Sequence, residues 1–135
     1  MSPDSEQQAI AVARDVYNKM FKIYRNILKE VVLTAEVMAS EHALFSKLEK
    51  ETDTVGKNCR LLKTYRVDPN ETDEEHIERR ITMEARHDEL KRLLSQQTTL
   101  YNTAKDKHEA VFKSARELYD TISSLGTVMY LYNLH

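Results

Sequence analysis

Two residue pairs in this chain carry a spacing used for binding metal. Glu84 and His87 stand three residues apart, and so do Asp73 and His76. On a helix that spacing brings both side chains to one face. Bundles that hold two irons use Glu-x-x-His on each of two helices and a further glutamate on each of two others. The chain falls short of that set. The Asp73–His76 pair falls at a helix start, no third pair exists, and the pattern described below offers three helices at most. These histidines are therefore read as seam or surface residues, and neither a metal nor another cofactor is expected.

Nucleophilic catalysis fares no better. A serine or cysteine nucleophile needs a histidine held by a third group. Cys59 has no histidine near it in sequence and falls on an apolar seam, where a thiol behaves as a small hydrophobe. Two glycines cannot build a phosphate-cradling loop. Met20, Met38 and Met83 sit on seam positions and read as core rather than as a plastic binding surface. The expectation is a protein that is not an enzyme.

Composition sets the frame that must position any surface residues. Only two glycines and two prolines occur in 135 residues, while charged residues make up 31% and hydrophobic ones 41%. Such a mix belongs to helical bundles and coiled coils. The net charge of −2 carries no basic stripe for nucleic acid. With a single cysteine, no intramolecular disulfide forms, which fits a reducing compartment. The start, MSPDSEQQ, is polar and unlike a signal peptide, and no apolar run is long enough to span a bilayer. A soluble cytoplasmic protein with no membrane partner is expected.

In the first half, Ile10, Ala13, Tyr17, Met20, Tyr24 and Ile27 open a series of alternating steps of three and four. It continues through Val31, Thr34, Met38, Glu41 and Phe45 to Leu48. This is one helical stripe, and it is wide. Val16, Ile23, Val37 and Leu44 border one edge, and Phe21 and Leu28 the other. A broad apolar face asks for two neighbours, so the expectation is an all-α fold, an antiparallel three-helix bundle with coiled-coil-like packing. With both neighbours in place no apolar face is left over, and a monomer is expected. Helix one is placed at about 5–50. Val55, Cys59 and Leu62 keep its register, so an extension to about 66 is open despite Gly56.

The stretch RVDPNETDEEHIERR (66–80) is a stop followed by a start. Pro69 disfavours helix in the residue before it. Thr72 stands three residues before Glu75 in a capping-box arrangement, and Asp73, Glu74 and Glu75 suit the positive end of a helix dipole. In the second half Met83, Leu90, Leu94, Tyr101, Ala104, Val111, Ala115, Leu118, Ile122 and Leu125 share a seam, with His87, Gln97 and His108 filling its gaps. The run SQQTTLYNT (95–103) interrupts the helix-forming composition with β-branched and capping residues. Taken by its seam alone, the second half is one helix from about 73 to 125, so two long helices stay open as the alternative. A turn is placed in this run, giving helix two at about 73–100 and helix three at about 103–125. Gly126 suits a left-handed C-terminal cap, and the aromatic tail 126–135 is expected to fold back over one end of a single domain spanning 1–135.

The stretch NILKEVVLTAEVMASEHALFSKLEKE (26–51) resembles the first helix of the tubulin-binding cofactor A family. Ile27, Leu28, Lys29 and Glu30 match that family's aliphatic-x-Lys-Glu motif. RVDPNETDEEHIERR resembles the connection into its second helix, with Arg79 and Arg80 near a basic pair, and LKRLL (90–94) resembles that helix's later part. The resemblance implies a monomeric three-helix bundle, cytoplasmic and cytoskeleton-associated. It would bind β-tubulin and stabilise it before heterodimer assembly, by binding alone. Lys29, Glu30, Arg79 and Arg80 are the implied partner-binding residues. All four are expected to lie off the principal seam, so that reversing their charges leaves stability nearly unchanged. The competing expectation is a coiled-coil adaptor, such as a syntaxin-type N-terminal bundle or a cytoskeletal scaffold module.

Overall fold

A computed structural model describes residues 3–131. They form two α-helices and no strand: α1 (Pro3–Leu62, 60 residues) and α2 (Asp73–Leu131, 59 residues), a helical hairpin. The three-helix expectation gives way to two, because the turn placed at 95–103 is absent. Thr98 donates its hydroxyl to the Leu94 carbonyl at 2.8 Å, Thr99 to Ser95 at 3.3 Å and Thr103 to Thr99 at 2.9 Å. Hydroxyls that could have capped a new helix are instead bonded back to the carbonyls of the existing one. Meanwhile Gln97, Tyr101 and Ala104 stay on the inner face. Packing along the seam overrides a weak local propensity.

The same device carries α1 through 51–58, the extension left open above. Thr52 bonds to the Leu48 carbonyl at 2.6 Å and Thr54 to that of Lys50 at 3.0 Å. Gly126 is not a cap either. It lies inside α2, which continues to Leu131, so residues 126–131 of the expected tail are helix. Positions 132–135 of that tail lie outside the described residues.

Burial follows the alternating three-and-four series on both helices. Every seam position named above from Ile10 to Leu62 and from Met83 to Leu125 is buried or half-buried. The flanks are not. Val16, Ile23, Leu28, Val37 and Leu44 are exposed, and Phe21 is half-buried. Among the described residues the wide stripe of α1 has one helical neighbour where two were expected, so the premise of the monomer expectation is not met there.

The chain divides into two units. The first combines the α1 residues up to Glu36 with the α2 residues from Lys105. Ala115, Ile122 and Thr34 are its buried positions. Tyr24 meets Tyr119 with ring centroids 5.8 Å apart, and Phe21 lies beside both Tyr17 and Tyr24 at 6.2 Å. Thr34 Oγ1 stands 2.9 Å from the Glu30 carbonyl and 2.9 Å from His108 Nδ1. A hydroxyl has one hydrogen. With that hydrogen given to the carbonyl, the oxygen accepts from His108 in the tautomer protonated on Nδ1; in the other tautomer the hydroxyl donates to Nδ1.

The second unit is Val37–Ala104. Val55, Cys59 and Leu90 form its core, with Leu48 and Met83 packed against them. Gly56 makes a close approach here: a Cβ on it would stand 2.9 Å from His87 Nε2, so any larger residue requires the imidazole to shift. Gln97 is buried and donates its amide to the Glu41 carbonyl at 3.0 Å, and also to the Glu41 carboxylate. Each unit therefore carries a hydrogen-bonded polar pair in its seam, Thr34 with His108 and Glu41 with Gln97. Such pairs fix register, because any slip leaves a buried polar group unpaired.

Candidate functional site

Two places in the second unit bear on function: the loop between the helices and one flank of the hairpin. The loop is built as its residue types dictate. Tyr65 N–H donates to the Leu61 carbonyl at 2.8 Å and closes α1. Asp68 accepts the Asn70 N–H at 2.9 Å in an Asx turn next to Pro69. Thr72 caps α2, its hydroxyl accepting the Glu75 N–H at 3.1 Å, as the capping-box spacing predicts.

At the centre of the loop is Glu71, whose side chain is 1% exposed. Arg79 Nε donates to its Oε1 at 2.8 Å, and His76 Nδ1 stands 3.6 Å from its Oε2. Arg66 bonds the Glu71 backbone carbonyl at 2.7 Å and pairs with Asp73. That bond, with the guanidinium charge behind it, holds the Asp73 carboxyl below its ordinary range. The loop is thus tied by two arginines to two carboxylates. A shallow cleft of about 350 Å³ opens beside it, lined by Leu61, Tyr65, Val67, Arg79 and Met83 among others.

The four expected partner residues separate by unit. Lys29 and Glu30 are exposed in the first unit, as expected of a free surface. Arg79 and Arg80 lie in the second, and neither is an uncommitted surface charge. Arg79 holds the buried Glu71. Arg80 is half-buried with a buried Nε that has no hydrogen-bond partner. Counting back from Met83 in the series places Arg80 and His76 on the seam, so the off-seam assignment of Arg80 is corrected. The residues missed outright are Arg66 and Glu71. The signal available for Arg80 was the seam register carried one turn further toward the N-terminus. No periodic signal marks Glu71.

The two Glu-x-x-His-type pairs are also accounted for. Asp73 is engaged by Arg66, His76 faces Glu71, and His87 rests against Gly56 while Glu84 is exposed. Among the described residues no three His, Cys, Asp or Glu side chains are grouped to hold a metal ion. No helix among them is long and apolar enough to cross a membrane.

The flank is the larger feature. On α1 the seven-residue series Val37, Leu44, Glu51 borders the seam, and on α2 the series Arg86, Leu93, Leu100 does the same. Arg86 donates to the Glu51 carboxylate at 2.6 Å, which shows that the two series face the same side. Val37, Leu44 and Leu100 are each at least half exposed (53, 51 and 54%), and Leu93 is half-buried. The opposite flank carries His42 and Glu49 on α1 and Glu84 and Lys91 on α2. One side of the unit is mainly aliphatic, and the other is mainly polar with one exposed isoleucine, Ile77, on the Glu84–Lys91 series.

The first unit lacks that asymmetry: Val16 and Ile23 of α1 are exposed on one flank, and apolar residues line the other as well. There Phe21 and Leu28 of α1, and Phe112 and Tyr119 of α2, lie on seven-residue series beside the seam, and the last three are exposed. Arg25 stacks over Phe21 at 4.9 Å from the ring centre. Solvated aliphatic and aromatic side chains in series along a flank are what a further helix would cover.

No family model, no curated protein and no solved structure matches this chain.

Proposed function

We propose that the protein is a coiled-coil adaptor or scaffold element that works by packing its apolar flanks against helices of other polypeptides, without catalysis. The observation that carries this reading is the one-sided exposure of Val37, Leu44 and Leu100 against the polar opposite flank of the same unit. Apolar surface of this kind drives association in water at roughly 25 cal/mol per Å² covered. The test is site-specific photo-crosslinking in cells that express the protein. A crosslinker at position 44 should capture protein, while one at position 49 on the polar flank should not. Equal capture at both positions, or none at position 44, overturns the reading.

A second reading keeps β-tubulin as the partner, with the protein in the cytoplasm beside the cytoskeleton. It is supported by the resemblance of residues 26–51 and 66–80 to tubulin-binding cofactor A and by the exposure of Lys29 and Glu30. A hairpin of two helices departs from the three-helix bundle that the resemblance implies. Native gel filtration with dissociating tubulin decides it: a complex with β-tubulin supports it, and separate elution removes it.

A further inference from the structure

We infer that the aliphatic flank of the second unit is covered by a second copy of this chain, the two hairpins pairing flank to flank in a four-helix arrangement. The inference rests on the docking reading above and names the partner.

Surface area supports it first. A compact monomer of 15.8 kDa exposes roughly 7,300 Å², whereas this chain exposes 10245 Å². The excess is roughly 2,900 Å². Obligate homodimers bury about 2,000–5,000 Å² over both partners, or about 1,000–2,500 Å² from each. This surplus belongs to the chain as a whole, and the solvated flank of Val37, Leu44 and Leu100 is one part of it.

The pattern of the flank supports it next. Each helix contributes two aliphatic side chains seven residues apart, Val37 with Leu44 and Leu93 with Leu100. A two-fold axis requires one patch to match itself, and a patch with equal aliphatic pairs on its two helices can do so by setting α1 against α2 of the copy. The charges at its end are neutralised internally by the Glu51–Arg86 bond. The patch therefore asks for no oppositely charged partner, and the net charge of −2 opposes self-association only weakly. Because the other flank of this unit carries Glu49, Glu84 and Lys91 with one exposed isoleucine, Ile77, pairing of this unit stops after one layer. A closed pair results rather than a filament.

The experiment is sedimentation velocity of the full chain from about 1 to about 100 µM. The expected result is conversion to a species of twice 15.8 kDa as concentration rises. Leu44→Glu with Leu100→Glu should raise the dimer dissociation constant at least ~10-fold, the scale of losing a central interface anchor. Helicity by circular dichroism should be unchanged, because both positions are exposed in the single chain. If that variant loses helicity, Leu44→Ser with Leu100→Ser takes its place and should show the same shift. Glu84→Gln with Lys91→Gln, on the polar flank, should leave the dimer intact. A wild type that stays monomeric at about 100 µM overturns the inference, as does a dimer indifferent to the substituted flank. Should the wild type be monomeric while position 44 still crosslinks to a different protein, this inference fails and the docking reading stands. Absence of both removes the two together.

Discussion

Gln97 reaches across from α2 to the backbone carbonyl of Glu41, 56 residues earlier, with its amide 3.0 Å away and its side chain buried. The bond sets one residue of α2 against one residue of α1 and so reports the register of the second unit. Glu41 and Gln97 are polar members of two largely apolar series. Together they form one polar layer.

The first prediction separates what that layer contributes. Gln97→Ala removes the bond and leaves a gap, and should lower stability by about 1–2 kcal/mol in urea unfolding. Gln97→Leu removes the same bond but fills the seam with apolar volume, and should cost less than Gln97→Ala or stabilise. An equal loss from both would show that the hydrogen bond, not the packing, dominates at this position.

Gly126 offers a test of the helix boundary. Inside α2 its nearest non-local neighbour would be Tyr17, 3.6 Å from an added Cβ, an ordinary contact. Gly126→Ala should therefore raise stability by up to ~1 kcal/mol from helix propensity. A left-handed cap at this residue would give the opposite sign. Thermal unfolding of the two proteins distinguishes them.

Gly56 is the contrasting case. An alanine gains the same propensity, but its Cβ meets the His87 ring at 2.9 Å. The full gain of ~1 kcal/mol should appear only in a His87→Ala background. A double-mutant cycle should thus show coupling between the two positions. Additive effects would mean that the ring moves aside freely.

Arg79 and Lys29 should behave differently, although the sequence offers both as surface charges. Lys29→Glu alters an exposed residue and should change stability by less than about 0.5 kcal/mol. Arg79→Ala leaves the buried Glu71 carboxylate without its donor. Arg79 is itself 46% exposed, so the cost is discounted to about 1–3 kcal/mol. Arg79→Glu should cost more still, since it sets a second carboxylate against the first. Chemical denaturation of the three variants side by side is the check.

Acid sensitivity follows from Asp73. Its folded pKa is lowered, first by the hydrogen bond from Arg66 and then by that residue's charge. The group binds protons more weakly in the folded chain. Its contribution is therefore present above the unfolded carboxylate value of ~3.9 and is lost as pH falls through the lower folded value. The stability difference between wild type and Asp73→Asn should be largest above about pH 4 and shrink below it. A difference that grows on acidification would contradict the Arg66–Asp73 assignment.

Much of this was legible beforehand, for a physical reason. A residue on a two-helix seam repeats with the helix itself, so Ile10 to Leu62 and Met83 to Leu125 could be picked out by spacing alone. The Thr72 cap was legible because capping chemistry is local. The turn at 95–103 was misplaced because Thr98, Thr99 and Thr103 can serve either state, and only long-range packing decides between them. The width of the α1 stripe led to a second neighbour in the same chain, whereas α2 covers the seam and leaves Val16, Ile23, Leu28, Val37 and Leu44 exposed. The loop cluster was not legible, since Glu71 meets Arg79 through the fold of a loop that has no period.

The proposed binding face is Val37, Leu44, Leu93 and Leu100, and the opposite flank of the same unit carries Glu49, Glu84 and Lys91. Hydroxyl-radical footprinting reads both sets at once, comparing the purified chain at high dilution with the chain in its native assembly. The predicted result is strong labelling of Leu44 and Leu100 in the dilute chain, protection of both in the assembly, and no change for peptides that report only the polar flank. Equal labelling of Leu44 and Leu100 in the two states would contradict the account.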